Sequence, residues 1–169
     1  MNEFQFNDFL TFLSDAASDC VDFFLNIHGK LTQMGCKVKM TSTKAHPYQL
    51  AYTMPNSRKG ILNFYLRKKG LRMRITVVNA DNHAHWLNSL PAHMVNQISK
   101  KNTCVKLTEN CECLDTCMGF DFYINENHFQ KCRFYCFQFD VDAESMPYFY
   151  ALLEGELMAR EQKGHMEEK

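Results

Sequence analysis

The stretch ILNFYLRKKGLRMRITVV, residues 61–78, decides the fold. Leu62, Phe64 and Leu66 alternate with Asn63, Tyr65 and Arg67, and after Lys68-Lys69-Gly70 the alternation resumes. Leu71, Met73, Ile75 and Val77 then stand against Arg72, Arg74 and Thr76. A period of two marks strands with one apolar face. The short link forces antiparallel pairing, because a parallel return needs a crossover of about a dozen residues or more.

Working outward, Cys36, Val38 and Met40 alternate with Lys37, Lys39 and Thr41, and residues 48–54 form another strand before a turn over Pro55-Asn56-Ser57. This predicts a four-strand meander. Ahead of it, Phe4, Phe9, Phe12 and Leu13 give one helix an apolar stripe, with a boundary expected at Ser14 or Asp15. Cys20, Phe23, Phe24, Ile27, Leu31 and Met34 recur at helical spacing in a second, which Gly35 suits as a terminator.

Downstream, Asp81 or Asn82 is placed to cap a short helix over residues 83–90, and Pro91 opens another to about residue 100. Residues 119–125 and 129–140 read as a hairpin around a three-residue loop, Glu126-Asn127-His128. That register sets Asp121 opposite Arg133 and Tyr123 opposite Lys131, and it keeps Phe122 away from Lys131. Residues 144–161 close the chain as a helix with Phe149, Leu152, Leu153 and Leu157 inward. The expected fold is α+β: an antiparallel sheet, made of the meander plus the C-terminal hairpin, packed with N-terminal, middle and C-terminal helices. With 169 residues, no repeat and no linker-like stretch, residues 1–169 read as one domain with a Cys-rich subregion at 104–140.

The formal net charge of zero hides a segregation. Residues 1–28 carry five acids and no Lys or Arg, whereas residues 29–78 carry eleven bases and no acid. Such a run creates a positive potential unless the acidic helices fold over it. Arg58, Lys59, Arg67, Lys68, Lys69, Arg72 and Arg74 could pair with phosphates, and Tyr65, with Tyr48 or Tyr52, could stack on bases. An acidic protein surface would satisfy the same charges.

Eight cysteines are present, six of them within residues 104–136. The first apolar segment, residues 4–13, has no preceding Lys or Arg and contains Asn7 and Asp8, which is not a secretion signal. No apolar run approaches the roughly 18 residues of a membrane span. The expectation is therefore cytoplasmic, where clustered thiols serve metal or redox chemistry rather than disulfides. Four thiolates around zinc would staple a loop that has little core of its own. On an extended strand Cys132 and Cys136 would stand about 13 Å apart, so Cys104, Cys113 and Cys117 plus one of Cys132 and Cys136 form the expected set, with Cys111 in reserve. Cys20 and Cys36 fall on apolar faces and read as core.

No nucleophile has an identifiable base, and His83 and His85 are two apart, which is not a same-face helical spacing. The sequence therefore reads as a non-enzymatic binding protein with structural zinc and a basic sheet face for nucleic acid or an acidic protein. The alternatives are a thiol enzyme or redox sensor using Cys113 and Cys117, and an inhibitor or adaptor that works by protein contact.

Overall fold

The alternation across residues 61–78 is realised as the third and fourth strands of a five-stranded antiparallel sheet. The computed structural model describes residues 3–44, 46–55, 59–107, 113 and 117–167, with side chains left aside at 3, 4 and 162–167. The chain gathers into two units, Met1–Thr76 with Gln138–Met146, and Val77–Phe137 with Pro147–Lys169.

In the first unit, α1 (Glu3–Ala17) and α2 (Val21–Gln33) are joined by a 3-10 turn at Ser18–Cys20. α1 runs past the expected boundary because Ser14 and Asp15 lie on its exposed side, where they cost only propensity. α2 is continuous through Gly29 and ends as its terminator predicts. Gly35 takes φ +77°, its N–H donates to Thr32 O at 2.9 Å, and Cys36 N–H reaches back to Leu31 O at 2.9 Å. This closure satisfies carbonyls the helix end would otherwise orphan.

Strands β1 (Lys37–Thr41), β2 (Tyr48–Thr53), β3 (Gly60–Arg67) and β4 (Gly70–Ile75) form the predicted meander. Their apolar face, with Leu50, Tyr52, Leu62, Phe64, Leu66, Leu71 and Met73 buried, receives the two helices. Phe23 and Phe24 set their rings edge-on to Phe64 at 6.5 and 5.2 Å, and Phe9 and Phe12 meet Tyr48 at 5.9 and 5.6 Å. Each buried aromatic contributes both area and a preferred ring geometry to this layer.

The fifth strand corrects the sequence reading. Residues 129–140 are not one strand: β5 (Phe120–Ile124) and β6 (Asn127–Lys131) make the hairpin, while β7 (Gln138–Asp140) pairs with β4 and completes the order β1-β2-β3-β4-β7. The hairpin register also differs from expectation. Asp121 faces Gln130, not Arg133, and Phe120 faces Lys131, around a two-residue turn at Asn125-Glu126 with Asn125 at φ +52°. Asn tolerates that left-handed conformation, which tight hairpin turns require. Lys131 can face a Phe because its ammonium donates to Ser99 O at 2.8 Å and Lys101 O at 2.9 Å. At 8% exposure the side chain is buried but satisfied.

In the second unit, a 3-10 turn (Ala80–His83) leads to α3 (Ala84–Ser89) and α4 (Ala92–Ser99). Asp81 and Asn82 fall inside the 3-10 turn rather than capping α3: Asn79 caps that turn, its Oδ1 accepting from Asp81 N–H at 3.1 Å, and His83 precedes α3 without a side-chain cap. Pro91 precedes α4 as expected. Phe137 gathers the aromatic core, with Phe120 at 5.3 Å, Trp86 at 6.0 Å and Phe122 at 6.1 Å. The closing helix α5 (Met146–Glu167) follows a reciprocal Asp142–Ser145 pair and buries Phe149, Leu152, Leu153 and Leu157. No helix among the described residues is long and apolar enough to cross a membrane.

Candidate anion-binding face

Pairing in the sheet assembles the basic residues into rows. One row runs Lys39, Ala51, Asn63, Arg74 and Gln138, and the next runs Thr41, Gln49, Tyr65, Arg72 and Asp140. Both lie on the face opposite Phe64, because neighbours along a strand alternate sides. The acidic helices α1 and α2 occupy the Phe64 face, so they do not cover Arg72 or Arg74. Lys37 and Lys39 are exposed on β1, and Lys68 and Lys69 are exposed at the β3–β4 turn.

Arginine geometry on this face is set by Asp140. Arg72 grips it side-on, Nε to Oδ1 at 2.8 Å and Nη2 to Oδ2 at 3.1 Å, and Arg67 Nη2 donates to the same Oδ1. Arg74 donates to Asn63 Oδ1 at 2.9 Å and lies 5.7 Å from the centroid of the Tyr65 ring. His46, from the loop between β1 and β2, packs on Tyr65 with ring centroids 5.1 Å apart. Burial, then the Arg67 and Arg72 charges, lowers the pKa of its imidazole.

The expected contributors are thus divided. Arg67, Lys68, Lys69, Arg72 and Arg74 share the edge near β4, while Lys59 is exposed at the start of β3 and Arg58 lies outside the described residues. Tyr65 is buried beneath His46 and Arg74, so it is not placed to stack on a base. Neither is Tyr48, which meets the α1 phenylalanines, nor Tyr52, whose hydroxyl bonds His28 Nδ1 at 2.8 Å. What this face offers is therefore charge and hydrogen-bond donors rather than an open aromatic ring. Sequence reasoning missed His46 and Asp140, whose distance along the chain from Arg72 carried no spacing signal. Lys37 and Lys39 were visible as the polar half of an alternating strand.

The cysteines take a different arrangement from the one the 13 Å separation assumed. Residues 132–136 form a helical turn, in which Tyr135 and Cys136 N–H donate to Cys132 O at 3.2 and 3.0 Å. That sets Cys132 and Cys136 one turn apart, about 5–6 Å between Cβ atoms. Cys104 packs its Sγ against Gly119 and pairs its N–H with Gln130 O at 3.0 Å. Cys104, Cys117 and Cys136 are buried, and Cys113 and Cys132 are half-buried. Among the described residues no group of three or more His, Cys, Asp or Glu side chains is gathered to hold a metal ion, and Cys111 lies outside those residues. Cys20 and Cys36 are buried, as expected for core thiols.

Burial drives the Cys136 thiol strongly upward, against the opposing pull of Lys131 and Lys101. Alkylation of the native protein by iodoacetamide at pH 8 is therefore expected to reach the half-buried Cys132 well before Cys136. Peptide mass mapping over time measures this, and fast native labelling of Cys136 would contradict its assigned environment.

His83 and His85 do not converge. His85 is exposed, while His83 donates from Nε2 to Glu156 Oε2 at 3.0 Å. Glu156 also accepts from Arg160 Nε at 2.8 Å and Val78 N–H at 3.2 Å. This closed network serves packing, since both His83 and Glu156 are buried. No protein family, curated protein or solved structure matches this chain.

Proposed function

We propose that this chain is a non-enzymatic binding module that holds a polyanion on the basic face of its sheet. The observation that carries the reading is the placement of α1 and α2 on the opposite face. Asp8, Asp15 and Asp22, carried by these helices, therefore lie on the other side of the sheet from Arg72 and Arg74. Asp140 offsets part of the charge at the β7 side, and Lys37 and Lys39 on β1 and Lys68 and Lys69 at the β3–β4 turn remain exposed. Clustered cations on a strand surface attract polyanions by counterion release, so affinity should fall steeply with salt. The reading rests on the sheet alone. The zinc staple has no gathered ligand set among the described residues and forms no part of it.

The test uses the four exposed lysines rather than the arginines, because reversing Arg72 would also set a second carboxylate against Asp140. A variant with Lys37→Glu, Lys39→Glu, Lys68→Glu and Lys69→Glu is expected to bind a single-stranded oligonucleotide roughly a hundredfold or more weakly at low salt. Its melting temperature should stay close to that of the parent, since exposed charges contribute little to folding. Anisotropy titrations across salt concentrations give both affinity and slope. Unchanged affinity would remove the reading, and tight capture of polyglutamate but not of the oligonucleotide would redirect it to an acidic protein partner.

A further inference from the structure

The edge of the face where β3, β4 and β7 meet holds more than dispersed charge. Arg67 Nη2 and Arg72 Nε donate to the same oxygen of Asp140, so two guanidinium groups stand side by side. One carboxylate offsets only one of these two charges, and guanidinium cations brought this close repel unless a further anion intervenes. Each guanidinium carries five N–H donors, of which Asp140 takes two from Arg72 and one from Arg67. Near this edge Arg67 Nε and His46 Nδ1 are buried and find no hydrogen-bond partner among the described residues. Unsatisfied buried polar atoms of this kind call for an explanation.

We propose that Arg67, Arg72 and His46, braced by Asp140, form a seat for one phosphate group. This inference rests on the polyanion reading of the face and names the point at which the polyanion is gripped. The chemistry favours phosphate over a protein carboxylate. Asp140 already satisfies a side-on guanidinium with its two oxygens, whereas a phosphate offers additional oxygens to two guanidiniums and an imidazole together. Asp140 acts as a positioning residue that fixes the planes of both guanidiniums, so that little arginine freedom is lost when the anion arrives. His46 is anchored for the same role. Its N–H donates to Thr43 Oγ1 at 3.1 Å and its carbonyl accepts from Thr43 N–H at 2.8 Å, closing the loop that carries the ring onto Tyr65.

The phosphate could be the terminal monoester of an oligonucleotide, its backbone diester, or a free ion, and the experiment separates these. The full chain is titrated with inorganic phosphate, with a 5′-phosphorylated oligothymidylate and with the same oligomer bearing a 5′-hydroxyl. The variants Arg67→Gln, His46→Gln and Lys39→Gln are compared, with melting temperatures recorded. Arg67→Gln and His46→Gln are expected to weaken the phosphorylated probe about tenfold or more, the size of a lost charge-assisted hydrogen bond, and Lys39→Gln only a few-fold.

Loss confined to the 5′-phosphorylated oligomer identifies the terminal monoester, and equal loss on both oligomers identifies the backbone diester. Arg67- and His46-dependent binding of inorganic phosphate without oligonucleotide binding would uphold the seat and overturn the extended face. If both seat variants weaken binding no more than Lys39→Gln does, the seat is wrong while the face reading stands. If wild-type protein binds none of the three probes, both fall. His46→Gln keeps the comparison decisive should Arg67→Gln fail to fold.

Discussion

Replacing Glu156 with alanine is expected to destabilise its unit by about 3–5 kcal/mol, the typical loss when one partner of a buried ion pair is removed. Glu156 has 0% exposure and accepts three hydrogen bonds, from His83 Nε2, Arg160 Nε and Val78 N–H. Without the carboxylate, a mostly buried guanidinium, a buried imidazole and a backbone N–H lose their acceptor together. Glu156→Gln keeps the shape and one acceptor oxygen, so its loss should be smaller. Gly155 belongs to the same design: a Cβ there would stand 3.3 Å from His83 Nδ1.

The pH dependence follows with a definite sign. Burial raises the Glu156 carboxyl, but bonds from His83 and Arg160, the Arg160 charge and the Val78 N–H outweigh it and hold the group below its ordinary value. A carboxyl depressed in the folded state contributes stability above its unfolded value of about 4.3, and that contribution is lost as pH falls through the folded value. Wild-type protein should therefore lose stability on acidification below about pH 4.3 more steeply than Glu156→Gln. Urea melts at pH 7 and pH 3.5 measure both effects, and parallel losses in the two proteins would exclude an ionised Glu156.

The second large effect is expected at Gly119. Its φ of +66° lies in the left-handed region, and a Cβ would stand 2.5 Å from Cys104 Sγ and 3.0 Å from Leu107 Cδ1. Gly119→Ala thus carries a backbone cost of about 1–2 kcal/mol and an overpacking cost of roughly 1–3 kcal/mol. The two can be separated. Removing the sulfur with Cys104→Ala opens room for the new methyl group but leaves φ unchanged, so the double variant should recover part of the loss. A double-mutant cycle read by denaturant unfolding gives the coupling. Strict additivity would show that Cys104 does not crowd this position, and it would leave the backbone conformation as the source of the cost.

Much of the fold was legible because it is written in local periodicity. Leu62, Phe64, Leu66, Leu71 and Met73 alternate without interruption, and the two-residue side-chain period converts that directly into a buried face. Gly35 announced the end of α2 because few other residues adopt its dihedral cheaply. The hairpin register was not legible. The rule that keeps lysine away from phenylalanine neglects the length of the lysine stem, which lets the ammonium reach two carbonyls beyond the apolar contact. The division of residues 129–140 was hidden for a related reason. Cys132, Phe134 and Cys136 keep strand-like alternation, yet the backbone winds into a helical turn there, and the chain resumes as β7.

By itself, the chain's order of residues determined the α+β class, the meander, the burial of Cys20 and Cys36, and the concentration of bases in one continuous segment. Each depends on neighbours within a few positions, where the backbone repeat dictates which side chains share a face. Only the tertiary structure decided that the acidic helices lie behind the sheet, that Asp140 meets Arg67 and Arg72, and that His46 caps Tyr65. Those contacts join residues as much as 73 positions apart. Nothing in local spacing selects such pairs: they form because burying the Phe64 face and pairing β7 with β4 leave those side chains adjacent.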